Sequence, residues 1–193
     1  MVAGCVWRWR ARDAAWGPKH SPAEPGFSSQ KVIFVSPWVE MVASNEARVT
    51  GYPAPVKITD LPDELFAQAV ELWQETGLTR PWNDPDADLQ RAMAGSTSTI
   101  LVARDDAGSL LGTAMVGHDG HRGWVYYLAV QPSQQRQGVA RALMSACENW
   151  VRERGVLKIQ LMVRHLNHDV IAFYNALGYV DGEVVVLGRF LDR

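Results

Sequence analysis

The residues best suited to chemistry are Gln135-Arg136-Gln137-Gly138-Val139-Ala140-Arg141. A helix opening at Val139 leaves its first backbone N–H groups without intrahelical partners and carries a partial positive charge at that end. Such a corner holds an anion, for example a pyrophosphate. Gly138 has no Cβ to keep a ligand off the backbone, and Arg136 or Arg141 can add charge-assisted contacts. The same residues also read as an ordinary strand–turn–helix corner. A second polar group, Gly117-His118-Asp119-Gly120-His121-Arg122, places two imidazoles and a carboxylate close together. These are proton acceptors, although Asp-Gly turns are common without function. The cluster also resembles a His/Asp metal patch, but its spacing defines no ligand geometry and no metal is expected.

Trp124-Val-Tyr-Tyr-Leu-Ala-Val130 is a run of aromatic and β-branched residues, strand-like in character. It feeds the polar turn Gln131–Gln134, and then Val139, Leu143, Ala146, Cys147, Trp150 and Val151 recur at helical spacing. Upstream, Val56–Ile58 reads as a strand. Thr59-Asp60 and Pro62 mark a helix start, and Leu65, Phe66, Ala69, Leu72 and Trp73 form its buried face to about Glu75, before a stop at Gly77. A rigid loop through Arg80-Pro81-Trp82-Asn83-Asp84-Pro85 leads to a second helix from about Asp86 to Met93. Thr99–Ala103 and Ser109–Val116 flank Asp105–Gly108 and predict a hairpin. Leu157–Val163 then reads as a strand, Val170–Leu177 as a helix closed by Gly178, and Glu183–Leu187 as the last strand.

Two of these segments carry a family resemblance. Gln135-Arg136-Gln137-Gly138-Val139-Ala140 matches the Q/R-x-x-G-x-G/A signature of the GNAT superfamily of acetyl-CoA-dependent N-acetyltransferases, and Leu128-Ala129-Val130-Gln131-Pro132 resembles the strand exit before it. Downstream, Asn167-His-Asp-Val-Ile-Ala-Phe-Tyr174-Asn-Ala-Leu-Gly178-Tyr179 resembles that family's N-x-x-A-x-x-x-Y-x-x-L-G-F/Y segment. The resemblance spans roughly residues 56–193 and implies an α/β (α+β) fold. Its mixed, mostly antiparallel central sheet would have about six strands, splayed between the fourth and fifth, with about four helices on both faces. The element order βααβββαβαβ agrees. The usual seventh strand is missing or severely shortened near Arg193, which leaves a sheet edge as a candidate dimer surface.

The resemblance also implies acetyl-CoA as co-substrate, no metal, and direct attack by a primary amine in a ternary complex. Leu128, Ala129 and Val130, facing Leu161–Val163, would bind the pantetheine arm, and Gln135 to Arg141 the diphosphate. Asn167 would hydrogen-bond the arm, or serve as a plain helix N-cap. Tyr174 matches the tyrosine near the leaving sulfur. A phenol near ~10 facing a thiol near ~8.5 makes complete proton donation uphill by roughly 2 kcal/mol, so a hydrogen bond during charge build-up is easier to defend. Arg80, Trp82, Asp84 and His118 are the acceptor-side residues, with Trp82 also readable as a core plug and Arg80–Asp84 as a local pair. An alkyl amine near ~10.4 must lose a proton, at a barrier cost of about 4.6 kcal/mol at neutral pH. Trp124–Val130 contains no carboxylate to take it. The candidates are Asp119, His118, His121, or a water held by Tyr126 or Tyr127; His165 reads as a surface histidine. Arg80–Pro85 together with Gly117–Arg122 resembles a branch of small bacterial GNAT proteins whose acceptor is generally unassigned. A competing reading is an acyl-CoA-binding regulatory module with weak or no catalysis.

Composition sets the outer bounds. The chain has 193 residues, 47% hydrophobic and 21% charged, which suits one globular domain with a proper core. A net charge of −2 leaves no electrostatic footprint for nucleic acid. The two cysteines, Cys5 and Cys147, fit a reducing compartment, and no apolar run approaches membrane-spanning length. A cytoplasmic protein, monomer or homodimer, acting on a small-molecule or protein amine, is expected. Residues 1–55 form an N-terminal extension ahead of a domain over 56–193. It reads as a disordered tail, an extension packed on the domain, or a leader ahead of a start at Met41. Within it, Trp7–Arg12 is basic and aromatic, and Gln30–Val35 is a short candidate strand.

Overall fold

The structure, a computed structural model, describes residues 39–42 and 46–49 as backbone and residues 56–191 in full. Gln30–Val35 and Trp7–Arg12 lie outside the described residues. Among the described residues the sheet has seven strands in sequential order: β1 (Val39–Val42), β2 (Glu46–Val49), β3 (Val56–Asp60), β4 (Ser98–Arg104), β5 (Leu110–His118), β6 (Gly123–Val130) and β7 (Ile159–Leu161). Every neighbouring pair is antiparallel except β6–β7, which is parallel. Among the described residues there are four helices: α1 (Phe66–Glu75), α2 (Pro85–Met93), α3 (Val139–Glu153) and α4 (His168–Asn175). Alternation along the strands assigns the two faces. Leu101 and Ala103 of β4, Ala114 and Val116 of β5 and Val125 of β6 meet α3 and α4. Ile100 and Val102 of β4 meet α1 and α2. A period of two along each strand produces this division.

The structure departs from the sequence expectations at both ends of the domain. The sheet does not begin at Val56, because β1 and β2 extend it upstream; Ala47 pairs with Ile58, and Met41 with Ala47. The expected last strand, Glu183–Leu187, is irregular chain, with Val184, Val185 and Leu187 at 71%, 85% and 90% exposure. The cause is local. Glu183 N–H donates to Asp181 Oδ1 at 2.8 Å and Glu183 takes a left-handed φ of 51°, so an Asx-type turn directs the chain away from β7. β7 itself is three residues rather than the seven of Leu157–Val163, with Leu157 fully exposed. A short 3-10 turn, Asp63–Leu65, opens α1 in place of a Thr59-Asp60 cap. Asp60 instead ties β3 to β4, its Oδ1 accepting from Thr99 Oγ1 at 2.8 Å.

Two local features fix the helices that matter for the site. Asp84 caps α2, its Oδ1 accepting from Ala87 N–H at 3.1 Å, and Pro85 follows at the first helical position. α3 lies so close to the start of β6 that a Cβ on Gly123 would meet both Cγ atoms of Val151 at 2.6 and 2.7 Å. Only glycine permits that approach.

Candidate active site

The turn before α3 is shaped by two left-handed residues, Arg136 (φ 63°) and Gly138 (φ 88°), the second being the helix N-cap. Gly138 adopts this conformation without strain; Arg136 does so at a cost of roughly 1 kcal/mol. Gln137 Nε2 donates to the Ser133 carbonyl at 3.0 Å and Gln135 Nε2 to the Val130 carbonyl at 3.5 Å, so these side chains brace the loop from behind. The first helical bond is Ala142 N–H to the Gly138 carbonyl at 3.0 Å. Among the described residues, no acceptor claims the N–H groups from Gln137 to Arg141. Arg136 and Arg141 are exposed beside them.

This cradle lies at the end of a divided sheet. β6 and β7 pair at Gly123–Ile159, Trp124–Gln160 and Val125–Leu161, and there the pairing stops. Leu128 and Val130 pack toward α3, as does Val163, while Ala129 is buried. Pairing between β6 and β7 therefore ends at Val125, while β6 continues alone to Val130, ahead of the cradle.

On the α3–α4 side, Asn167 caps α4, its Oδ1 accepting from Val170 N–H at 3.4 Å. Tyr174 is 8% exposed, edge-on to Phe173 and Tyr179 at centroid distances of 5.0 and 5.6 Å. Burial, with Cys147 as the lesser cause, pushes its phenol up to about 12. Its hydroxyl makes no hydrogen bond with the described residues. Tyr179 is anchored differently, donating to Glu148 Oε1 at 2.8 Å.

On the opposite face, β6 carries a bulge. Thr113 pairs with Ala129 and Met115 with Tyr126, so Tyr127 and Leu128 together oppose Ala114. Tyr127 has φ 48°. The bulge breaks the alternation and turns two consecutive tyrosines, Tyr126 and Tyr127, to the α1–α2 side. There they help line a cavity of about 360 Å³ whose wall includes Asn83, Asp88 and Arg91. Tyr127 stacks on the buried Trp73 (centroids 4.2 Å apart, 23° between planes), and Trp73 Nε1 donates to Thr113 Oγ1 at 2.8 Å. The Tyr127 hydroxyl donates to Asp88 Oδ2 at 2.8 Å, and Asn83 Nδ2 reaches the same oxygen at 3.3 Å. Asp88 Oδ1 pairs with the Arg91 guanidinium. Burial raises both phenols above their ordinary range, with Asp119 adding to the effect at Tyr126 and Asp88 at Tyr127.

The remaining expected residues lie elsewhere. Arg80 Nη1 donates to the Gly77 and Thr79 carbonyls at 2.8 and 2.7 Å and holds its own loop. Asp84 is the α2 cap, and the two do not pair. Trp82 is not a core plug; it is half-exposed, with Phe190 edge-on at 6.2 Å. His118 accepts from Gly120 N–H at 3.2 Å, its ring 5.8 Å from that of Trp150. His121 is exposed, with Nδ1 3.3 Å from Arg122 Nη1. Asp119 closes the turn, accepting from His121 N–H, Arg122 N–H and Trp124 Nε1 at 2.8, 2.6 and 3.2 Å. These bonds, Arg122's foremost, hold its carboxyl at about 2. Among the described residues no cluster of three His, Cys, Asp or Glu is arranged for a metal, and no helix is long and apolar enough to cross a membrane. Asp88 and Asn83 line this cavity and were not among the residues expected from the sequence. The signal was the i, i+3 Asp88–Arg91 pair on the face of α2 that meets the sheet, but its relevance depends on a bulge with no pattern of its own.

Known structures share this architecture. The aminoglycoside N-acetyltransferase AAC(6')-Iy in complex with CoA superposes with a TM-score of 0.60 at 20% identity, over 70% of this chain and 95% of that one. A transcriptional regulator from Bacillus halodurans C-125 gives 0.61 at 17% identity, over 70% and 99%. Glucosamine-6-phosphate N-acetyltransferase from Arabidopsis thaliana gives 0.57 at 15%, over 71% and 99%. At these identities the likeness establishes the fold. A model of the acetyltransferase (GNAT) family matches residues 66–179, more than half of the chain and the whole stretch from α1 through α4. Motifs, fold and family match agree: the chain belongs to the GNAT family of acetyltransferases.

Proposed function

We propose that this protein moves an acetyl group from acetyl-CoA to a primary amine by direct attack in a ternary complex. The observation that supports this best is the row of unclaimed N–H groups from Gln137 to Arg141, placed where β6 and β7 part. Acetyl-CoA brings a thioester: the amine nitrogen attacks its acyl carbon, the C–S bond breaks, and the sulfur departs as a thiolate that takes its proton from solvent. The protein's part is binding, placement and charge. Backbone amides at Gly138 hold the diphosphate, Arg136 and Arg141 add charge, and Leu128–Val130 present strand backbone to the amide-rich arm. Asn167, while capping α4, offers its amide N–H₂ to the same arm.

Tyr174 acts as a hydrogen-bond donor to the sulfur as charge develops there. With its phenol at about 12, complete transfer to a thiolate near ~8.5 is uphill by roughly 5 kcal/mol, so the phenol stabilises the sulfur without losing its proton. Asp119 is a poor candidate for taking the amine's proton, since three donors already satisfy its anion. A water held at Tyr126 or the exposed His121 takes that place. Aminoglycosides and amino sugars are the first acceptors to try, given that the similar structures include aminoglycoside and glucosamine-6-phosphate acetyltransferases.

The second reading, an acyl-CoA-binding regulatory module, draws on the absence of a carboxylate in Trp124–Val130 and on the likeness to the transcriptional regulator. Thiol release from acetyl-CoA across an amine library distinguishes the two. Release above the hydrolytic background with at least one amine supports the transferase; tight binding with no release on any amine supports the module.

A further inference from the structure

We propose that the cavity between α2 and the β5–β6 floor seats the non-reacting ammonium of a dicationic acceptor, with Asp88 as its counter-ion. This rests on the transferase reading above and assigns the acceptor class. The cavity opens on the face to which the bulge turns Tyr126, one residue beyond the last β6–β7 pair, so it adjoins the cleft on the side away from Tyr174. Among the described residues, Asp88 is the single carboxylate in its wall. Two neutral donors on Oδ2, Tyr127 and Asn83, fix the plane of that carboxylate, and Trp73 beneath Tyr127 fixes the phenol.

Oδ1 already holds a cation. That cation is Arg91, whose side chain is 69% exposed against 22% for Asp88. Exposed i, i+3 pairs are weak and long side chains move readily, so an incoming ammonium can displace the guanidinium without dismantling the site. The half-exposed Tyr126 ring offers the same cation a second favourable surface. Asp88 suits a second ammonium rather than the reacting one, because a carboxylate–ammonium pair keeps its nitrogen protonated and unable to attack. The Tyr127 side chain separates Asp88 from the β6 backbone, so the acceptor must carry its second charge several bonds from the nitrogen that becomes acetylated.

The test compares 1,5-diaminopentane with pentan-1-amine by ligand-observed NMR titration of the full chain, with wild type, Asp88→Asn and Arg91→Gln side by side. A hydrogen-bonded charge pair predicts that wild type binds the diamine about tenfold more tightly than the monoamine. Asp88→Asn brings that ratio close to one. Arg91→Gln, which removes the competing cation, raises it. Equal affinities in wild type, a ratio that survives Asp88→Asn, or a ratio that falls in Arg91→Gln overturns the proposal. Arg91→Gln keeps the test decisive if Asp88→Asn melts early. The same three preparations are titrated with acetyl-CoA, which all should bind alike. Failure of that titration counts against the transferase reading and leaves the amine ratio to be judged by itself.

Discussion

Tyr174 and Asp119 show how environment decides what a polar group can do. Tyr174 is enclosed, so its proton is held tightly and its donor strength is available to a sulfur that gains charge. Tyr174→Phe is expected to lower turnover by about 10²-fold or more while acetyl-CoA affinity stays within a few-fold, read from initial rates and calorimetric titration. Asp119 is fully exposed yet depressed from 3.8 to about 2, because three N–H groups point at it. A depressed carboxyl stabilises the fold above its ordinary pKa, and that contribution is lost as pH falls through about 2. Neutral-pH chemistry therefore finds Asp119 ionised and already engaged. Asp119→Asn is expected to leave the low-pH limb of the rate profile in place. A His121→Ala variant that shifts that limb would assign the proton to the imidazole, and one that does not would assign it to water.

At the scale of elements, the cradle and the helix that bears it depend on two glycines used for different reasons. Gly138 supplies φ 88° at the α3 N-cap. Gly138→Val is expected to weaken acetyl-CoA binding at least about tenfold, since a β-branched residue strains in this region and projects into the space a diphosphate would take. Gly123 lets α3 approach β6; Val151 is β-branched and stiff, so it cannot turn both Cγ atoms from a new Cβ. Gly123→Ala is expected to lower the melting temperature measurably, with the acetyl-CoA dissociation constant moving less than in Gly138→Val. Most of this scale was legible in the chain. Periodicity in Val139–Val151 and the Asp105–Gly108 turn marked α3 and the β4–β5 hairpin, since each follows from local pattern. The bulge at Tyr127 was not legible, because it is a long-range adjustment of register between β5 and β6. With it went Asp88, which gains meaning only when the bulge brings a phenol to it.

At the scale of the molecule, the sheet is longer at one side and shorter at the other than the chain suggested. Val39–Val42 and Glu46–Val49 are four residues each, too short to mark strands from sequence; β2 pairs along the edge that β3 offers, and β1 along β2. Glu183–Leu187 has the composition of a strand, but the Asp181–Glu183 turn directs it elsewhere. Composition is thus a weaker guide than partner availability. Removing residues 1–50 would expose the β3 edge. The shortened chain is expected to melt at lower temperature and to self-associate with concentration, visible by light scattering. The most direct test of the central claim is calorimetric titration of the full chain with acetyl-CoA. One saturable site per chain, with a melting temperature that rises with ligand, is the expected result. No heat and no shift at millimolar acetyl-CoA would contradict it.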